Sequence, residues 1–207
     1  MVPDAGSGHG LQRTAIELAW KALEGRDVGK LASDSGSRRS AGHLLLPFFE
    51  DRLIVDLEGK KVLWRGKEAD ETSALLALHY LAGCGPDLPS GDLVPFNRAE
   101  GGDAYYGAFK RRIIDRLASE FGRDPASLIR AGLTIGGMDV AMGAAGLEVI
   151  VFPKVVLTLI VWEGDEDVPA AANVLFDAMA LDMLSTEDLA VMGSLVIARL
   201  IKARNAL

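Results

Sequence analysis

The sequence predicts an α+β fold in which helices cover a mostly antiparallel sheet. Strand-like and helix-like segments follow one another without the regular alternation that a parallel sheet requires. A hairpin pattern stands near the start of the chain, and several segments carry apolar residues at helical spacing. With 207 residues, 49% of them hydrophobic, the chain can bury a substantial core. We predict a single domain over residues 11–207, preceded by a flexible tail over residues 1–10.

The first predicted helix begins at Leu11, repeats apolar residues at helical spacing and stops at Gly25. The segment 25–31 superficially resembles a phosphate-binding loop. It is one residue too short between its glycines, lacks the Ser or Thr after the lysine, and follows a helix, so we reject that interpretation. A polar loop is expected over residues 33–40, before the core resumes at residues 44–49.

A hairpin is predicted over residues 53–58 and 62–64, because apolar residues alternate with polar ones on both sides of a glycine-containing turn. A helix then follows from a cap at Asp70 or Thr72 through Leu81. This helix is apolar on all sides, which predicts a central and buried position.

The next predicted element is a loop over residues 86–102, with one short strand near residues 93–96. Asp103 is the predicted cap of a helix that ends at Gly122. Asp124 is followed by proline, which predicts the start of another short helix.

Five glycines within residues 132–146 predict a flexible connection, and they lack the spacing of a dinucleotide-binding fingerprint. Near the end of the chain, Ser185 and Asp188 have the spacing of a capping box, which predicts a closing helix.

Residues 147–162 are the most distinctive part of the chain, because they are rich in Val and Ile and predict a strand buried on both faces. An acidic turn follows at residues 163–167, and residues 171–177 return to the core. Pro153 and Lys154 form either a hairpin turn or a bulge or wider bend. Proline cannot supply the positive φ of a tight hairpin turn, which favours the bulge or wider bend.

The net charge of −7 and the pI near 5.0 argue against nonspecific binding to nucleic acid or to an anionic membrane. The single cysteine, Cys84, cannot form an internal disulfide, and the N-terminus lacks a secretory pattern. The longest apolar run, residues 149–162, is too short for a membrane helix. We expect a soluble cytoplasmic protein without a nucleic-acid or membrane partner, and its oligomeric state is open.

Several short motifs between residues 27 and 200 resemble one known family. The motifs are Leu78-His79-Tyr80-Leu81, the spacing of Gly102, Tyr105 and Phe109, Trp162-Glu163-Gly164-Asp165-Glu166 with Pro169, Leu175-Phe176-Asp177, and Leu184-Ser185-Thr186-Glu187-Asp188. Together they resemble domain of unknown function 3786, a prokaryotic family. The resemblance implies a soluble single-domain protein of a kind common in anaerobes, without an established reaction or ligand. Relatives tend to have an aromatic residue where this chain has Val168, which weakens any inference of a pocket there.

Four carboxylates lie within five positions of the acidic turn, on Glu163, Asp165, Glu166 and Asp167. Such a density attracts a hard cation or an amine, so we predict a partner-binding or cation-binding surface. The alternative is a solvated turn, because the alternating ligands and distant glutamate of a calcium loop are absent.

The predicted ligand-binding residues are His79, Tyr80, Tyr105, Trp162 and Asp177. The histidine lies in the apolar central helix, where it is either a ligand contact or a packed core residue. The aromatic residues either line a cavity or pack in the core. The cysteine lies well round the helix from the histidine, so no metal site is predicted.

Asp177 lies in an apolar segment, and a buried acid needs a partner. We predict that it is buried, ionised and paired with a cation, the alternative being that it caps a turn at the end of the strand. The candidate cations are Lys154, Arg111, Arg112 and Arg116. The three arginines and Lys110 form a basic stripe, which is either an exposed helix face or a site for a phosphate-bearing ligand.

Two functions follow from these patterns. The first is binding of a small molecule or an unidentified cofactor in a pocket between the central helix and the sheet. The second is that of a non-catalytic accessory module, which docks a basic partner protein through the acidic turn. No nucleophile and base occur in a recognisable pattern, so whether the protein is an enzyme is open.

Overall fold

Two antiparallel sheets of five strands each form the framework of residues 6–207. The computed structural model describes the backbone of residues 6–207 and the side chains of residues 14–207. The described chain divides into two compact units, and the second comprises Phe48–Glu50 and Leu88–Leu207. The predicted α+β class is confirmed, although the strands form two sheets instead of one. The predicted domain boundaries stay a prediction.

The first unit contains the first sheet except for Phe48, the last residue of β2, and the strands lie in sequence order. Its elements are α1 (Gly6–Leu23), α2 (Val28–Ser35), β1 (Arg38–Ser40), β2 (His43–Phe48), β3 (Asp51–Asp56), β4 (Lys61–Trp64), β5 (Lys67–Glu68) and α3 (Glu71–Gly83). Helix α1 begins before the predicted start at Leu11, and residues 1–5 of the predicted tail lie outside the described residues.

Helix α2 occupies part of a segment predicted to be a polar loop. The Asp27 carboxylate accepts a hydrogen bond from the Lys30 N–H at 2.6 Å, which caps the start of the helix. Gly36 ends the helix in the left-handed conformation, with φ of 69°. The loop prediction is therefore wrong for residues 33–35, because these two local caps outweigh the polar composition. It is also wrong for residues 38–40, which form β1 by pairing with β2.

Helix α3 and the first hairpin follow the predicted pattern. The Asp70 carboxylate, one of the two predicted caps, accepts a hydrogen bond from the Ser73 N–H at 3.0 Å. Strands β3 and β4 pair antiparallel, and in their turn the Asp56 carboxylate accepts from the Gly59 N–H at 2.8 Å. Both elements depend on contacts between residues that are close in sequence, which is why the sequence pattern finds them.

The second unit contains the second sheet, with the strand order β6-β10-β9-β8-β7. Its elements are β6 (Leu93–Pro95), α4 (Gly102–Phe109), α5 (Asp115–Phe121), α6 (Pro125–Thr134), β7 (Met138–Val140), β8 (Ala145–Phe152), β9 (Val155–Trp162), β10 (Ala171–Asp177), α7 (Ala178–Met183) and α8 (Thr186–Arg204). A π-helical segment, Lys110–Ile114, joins α4 to α5. Strand β9 is central and lies between β10 and β8.

Pro153 and Lys154 form the turn of a hairpin between β8 and β9, since Phe152 lies opposite Val155. The predicted bulge is present, at the register shift between Ile150 and Phe152, whereas the alternative of a wider bend is wrong. Neither turn residue has a positive φ. The bulge adds local twist, which a turn without positive φ supplies poorly.

Helix α4 was predicted to begin after a cap at Asp103, but it begins one residue before Asp103, at Gly102. Gly101 precedes the helix in the left-handed conformation, and Asp103 lies in the first turn. Gly102 packs closely against the preceding turn, where an added Cβ would lie 2.5 Å from the Phe96 carbonyl oxygen. The prediction of an Asp103 cap is therefore wrong, because glycine is needed for this close approach.

The glycine-rich residues 132–146 are not the predicted flexible connection, since they include strand β7. At Gly132 an added Cβ would lie 2.3 Å from a Leu147 methyl group, so this glycine allows α6 to approach β8.

The predicted capping box is confirmed, with the Ser185 hydroxyl accepting from the Asp188 N–H at 3.1 Å. Among the described residues, no helix has both the length and the apolar character needed to cross a membrane.

Candidate functional site

The five residues predicted to bind a ligand are divided between the two units. His79 and Tyr80 lie on α3 in the first unit, whereas Tyr105, Trp162 and Asp177 lie in the second. Four clefts of about 310 to 640 Å³, each within one unit of the described chain, are lined by other residues. Within its own unit, each predicted residue has a different environment.

Tyr80 is fully buried, and its hydroxyl is already engaged in the core of the first unit. The hydroxyl donates a hydrogen bond to the Ser35 carbonyl oxygen at 2.9 Å. The Ser35 hydroxyl in turn donates to the Leu31 carbonyl oxygen at 2.6 Å. Tyr80 therefore connects α3 to the end of α2, whereas its neighbour His79 is only partly buried.

Asp177 lies at the end of β10 and is 3% exposed. Its Oδ1 accepts from the Ser90 N–H at 3.1 Å, the Ser90 hydroxyl at 3.2 Å and the Met179 N–H at 3.0 Å, and its Oδ2 accepts from the Gly91 N–H at 2.6 Å. The contact with Met179 caps α7. The predicted burial of Asp177 is thus observed, and the alternative role as a cap applies.

The charge of Asp177 is compensated without a cation. None of the ion pairs among the described residues includes Asp177. Burial raises the pKa of Asp177, but the N–H groups of Gly91, Ser90 and Met179 and the Ser90 hydroxyl more than offset that effect, so its pKa lies below the ordinary value. The predicted pairing with a cation is wrong, because backbone N–H groups of a distant loop supply the compensation.

Trp162 and Asp177 lie at opposite ends of the β9–β10 pair. Trp162 lies opposite Ala171, the first residue of β10, and Asp177 is the last residue of that strand. At a rise of about 3.3 Å per residue, the two positions are roughly 20 Å apart along the strand. These two predicted ligand residues do not share one site.

The acidic turn is exposed and has a defined shape. Oδ1 of Asp165 accepts from the Asp167 N–H at 2.9 Å and from the Val168 N–H at 2.7 Å, and the Asp165 N–H donates to the Val168 carbonyl oxygen at 2.9 Å. The N–H groups of Val168 and Asp167 hold the pKa of Asp165 below its ordinary value. The Gly164 N–H donates to the Gly122 carbonyl oxygen at 3.2 Å, which joins the turn to the end of α5.

The turn presents apolar surface beside its carboxylates. Trp162 is 44% exposed and Val168 is 60% exposed. A cleft of about 640 Å³ lies between the turn and α5, and Arg123 and Asp165 are among its lining residues. Trp162 is therefore available for contact with a partner, in contrast to a tryptophan packed in the core.

The family assignment rests on the match of residues 27–199, which is most of the chain, to the family described as Domain of unknown function (DUF3786). The chain belongs to this family. The resemblance found from the short motifs is thereby confirmed. No curated protein matches this DUF3786 chain, and no solved structure matches it either.

The described part of this DUF3786 protein contains no group of three or more His, Cys, Asp or Glu side chains that could hold a metal ion. The carboxylates of the acidic turn are close in sequence, but one of them closes the turn upon its own backbone. Density in sequence therefore does not produce a cation site among the described residues.

Thr158, on the central strand of the second sheet, was not among the predicted site residues. It is fully buried, and its hydroxyl has no hydrogen-bond partner among the described residues. It shares one face of the sheet with Glu148 on β8 and Leu175 on β10. The only sequence feature that marks Thr158 is that it interrupts an apolar run, and such an interruption does not show whether the hydroxyl is satisfied.

Proposed function

We propose that this DUF3786 protein is an accessory module that docks a basic partner protein through the acidic turn at residues 163–167. The observation that carries the proposal is an exposed tryptophan beside carboxylates that have no cationic partner among the described residues. Glu163, Glu166 and Asp167 are all exposed, and none of them forms an ion pair within the described part of the chain. A lysine-rich or arginine-rich segment would supply the missing counter-charges.

The shape of the turn favours binding. The hydrogen bonds that Asp165 accepts and the bond between Gly164 and Gly122 hold the turn in one conformation before a partner arrives. A preorganised surface loses less conformational entropy on association than a flexible one. The turn therefore presents its carboxylates in a fixed arrangement.

The partner would carry an apolar side chain next to its basic residues. Trp162 and Val168 provide exposed apolar surface on either side of the acidic turn. Tryptophan is among the residues that contribute most to binding energy at interfaces, while surrounding charges steer association and select the partner. The net charge of −7 adds a long-range attraction for a basic protein.

A fluorescently labelled peptide of alternating lysine and leucine tests this proposal by fluorescence anisotropy. The triple change Glu163→Gln, Glu166→Gln and Asp167→Asn should weaken binding of the peptide at least tenfold, and Trp162→Ala should weaken it as well.

A matched control neutralises three exposed acids elsewhere, at Glu58, Glu68 and Glu100, each changed to Gln. This control alters the net charge by the same amount and should retain most of the affinity. Equal losses in the two triple variants would mean that the peptide responds only to net charge, and the proposed docking surface would be abandoned.

A second candidate function is binding of a small molecule or cofactor, and the buried Thr158 hydroxyl favours it. A buried hydroxyl without a partner costs free energy, and a ligand with a polar group would satisfy it. An absorption spectrum and a native mass of the protein, purified from its native source, would reveal a bound molecule. If a molecule is found, Thr158→Val should reduce its occupancy; an unchanged occupancy would exclude a contact with Thr158.

A further inference from the structure

We propose that three arginines, on the π-helical segment and on α5, form with α8 a binding site for a small molecule that carries a phosphate group. The site is a cleft of about 310 Å³, called here the arginine cleft, and it is separate from the acidic turn. It is lined by Arg111, Arg112, Arg116, Ser194 and Ile197.

The π-helical segment brings the arginines to one side of the helix. Within it, the Asp115 N–H donates to the Lys110 carbonyl oxygen, so the hydrogen bond spans five residues instead of four. Arg111 and Arg116, which are five residues apart, are therefore closer together around the helix than they would be in a regular α-helix. In a regular α-helix, residues five apart point well away from one another.

The arginine cleft has an excess of positive charge. Arg111 and Arg112 are exposed and form no ion pair among the described residues. Arg116 has a carboxylate of Glu120 at 4.0 Å, but Glu120 is engaged more closely by Arg204, at 2.7 Å. Three like charges around one cleft repel one another, and a bound anion would convert this repulsion into attraction.

The base of the cleft is firmly packed. Gly193 on α8 lies so close to the π-helical segment that an added Cβ would be 2.9 Å from the Cδ1 of Ile113. Ile113 and Ile197 are both buried. The arginines therefore project from a rigid support, which reduces the entropy lost when an anion is bound.

The number of guanidinium groups and the size of the cleft indicate the class of ligand. Arginine presents several N–H donors in a planar fork that matches phosphate oxygens, and phosphate carries more charge and more acceptors than a carboxylate. The volume is at the lower end for small-molecule sites, which suits one phosphate group with a small organic portion. The net charge of −7 disfavours a polyanion such as a nucleic acid or an anionic membrane.

Isothermal titration calorimetry with inorganic phosphate and with pyrophosphate, against sodium chloride at matched ionic strength, tests this proposal. Both phosphates should bind to the wild type, and binding should weaken at least tenfold in the double variant Arg111→Gln and Arg112→Gln. The matched control, Arg98→Gln with Arg52→Gln, removes two exposed arginines elsewhere in the described chain and should bind like the wild type.

Thermal unfolding without phosphate shows whether the double variant is folded, and its melting temperature should equal or exceed that of the wild type because repulsion is reduced. Should neither phosphate bind to the wild type, or should the control lose as much affinity as the double variant, the proposed site is wrong. Tighter binding of an oligothymidylate or a phosphatidylserine vesicle than of either phosphate would also overturn the assignment to a small molecule.

Discussion

Asp177 and Asp165 lie near opposite ends of the β9–β10 pair, and both accept hydrogen bonds from backbone N–H groups. Asp177 is buried, so its hydrogen bonds replace water that the carboxylate has lost. Asp165 is exposed, so water is always available to replace its hydrogen bonds. The same chemistry therefore stabilises the fold at one end and shapes a surface at the other, and burial makes the difference.

The largest effect is expected from Asp177→Ala. The change removes the cap of α7 and leaves the N–H groups of Ser90 and Gly91 without an acceptor, which should lower the free energy of unfolding by about 2–4 kcal/mol. Chemical denaturation at pH 7 measures this loss. Asp182→Ala, at an exposed acid on α7, is the control and should have little effect. A fully stable Asp177→Ala variant would show that these hydrogen bonds contribute nothing to the fold.

The second prediction concerns the pH dependence that Asp177 produces. Its pKa in the folded protein lies below the ordinary value of 3.8, so the stabilisation is fully present above the pKa of the unfolded chain and is lost as pH falls through the folded pKa. The free energy of unfolding should therefore fall more steeply below about pH 4 in the wild type than in Asp177→Asn, which has no carboxyl group to protonate there. Parallel pH profiles of the two proteins would contradict the lowered pKa.

A smaller change in the free energy of unfolding, of opposite sign, is expected at Thr158, which lies on β9 between Asp177 and Asp165. Because Thr158→Val removes a buried hydroxyl that has no partner among the described residues and keeps nearly the same shape, it should leave stability unchanged or raise it by up to about 1 kcal/mol. Chemical denaturation of the ligand-free protein measures the change. A clear loss of stability would mean that the hydroxyl has a partner in solution, and the second candidate function would lose its support.

The smallest effect on stability is expected in the acidic turn. Asp165→Ala should lower the melting temperature much less than Asp177→Ala, because water can replace the hydrogen bonds of an exposed carboxylate. It should nevertheless speed hydrogen exchange of the Asp167 and Val168 amides, which Asp165 protects. Unchanged exchange at these two amides would show that Asp165 does not hold the turn in shape.

Local patterns predicted much of the fold. The capping box at Ser185 and Asp188, the helix after Asp70 and the strand at residues 171–177 were all found from residue types a few positions apart. The π-helical segment was missed, because Phe109, Ile113, Leu117 and Phe121 follow one another at intervals of four residues, which a regular α-helix also has. The boundary error at α2 occurs where two local caps prevail over composition, and the error at α4 occurs where a glycine allows a close approach to the preceding turn.

The candidate site could be predicted only in part. The exposed acidic turn follows from charge density, since several carboxylates in a row avoid burial. The hydrogen-bond partners of Asp177 could not be predicted from the sequence. Ser90 and Gly91 precede it by more than 80 residues, and no sequence pattern links the two segments. A cation was predicted because a buried charge needs compensation. Backbone N–H groups supply it instead, and since every residue except proline has one, residue types do not show where such compensation occurs.

The sequence by itself determined the α+β class, the family, the acidic turn and the burial of Asp177, since these depend on composition and on the spacing of neighbouring residues. Tertiary structure decided which loop satisfies Asp177, that Trp162 is exposed beside the turn, and that Arg111, Arg112 and Arg116 line one cleft. The physical reason is that helical and strand patterns record contacts within a few residues along the chain. Contacts between distant segments depend on how those elements pack, and many sequences are compatible with the same packing.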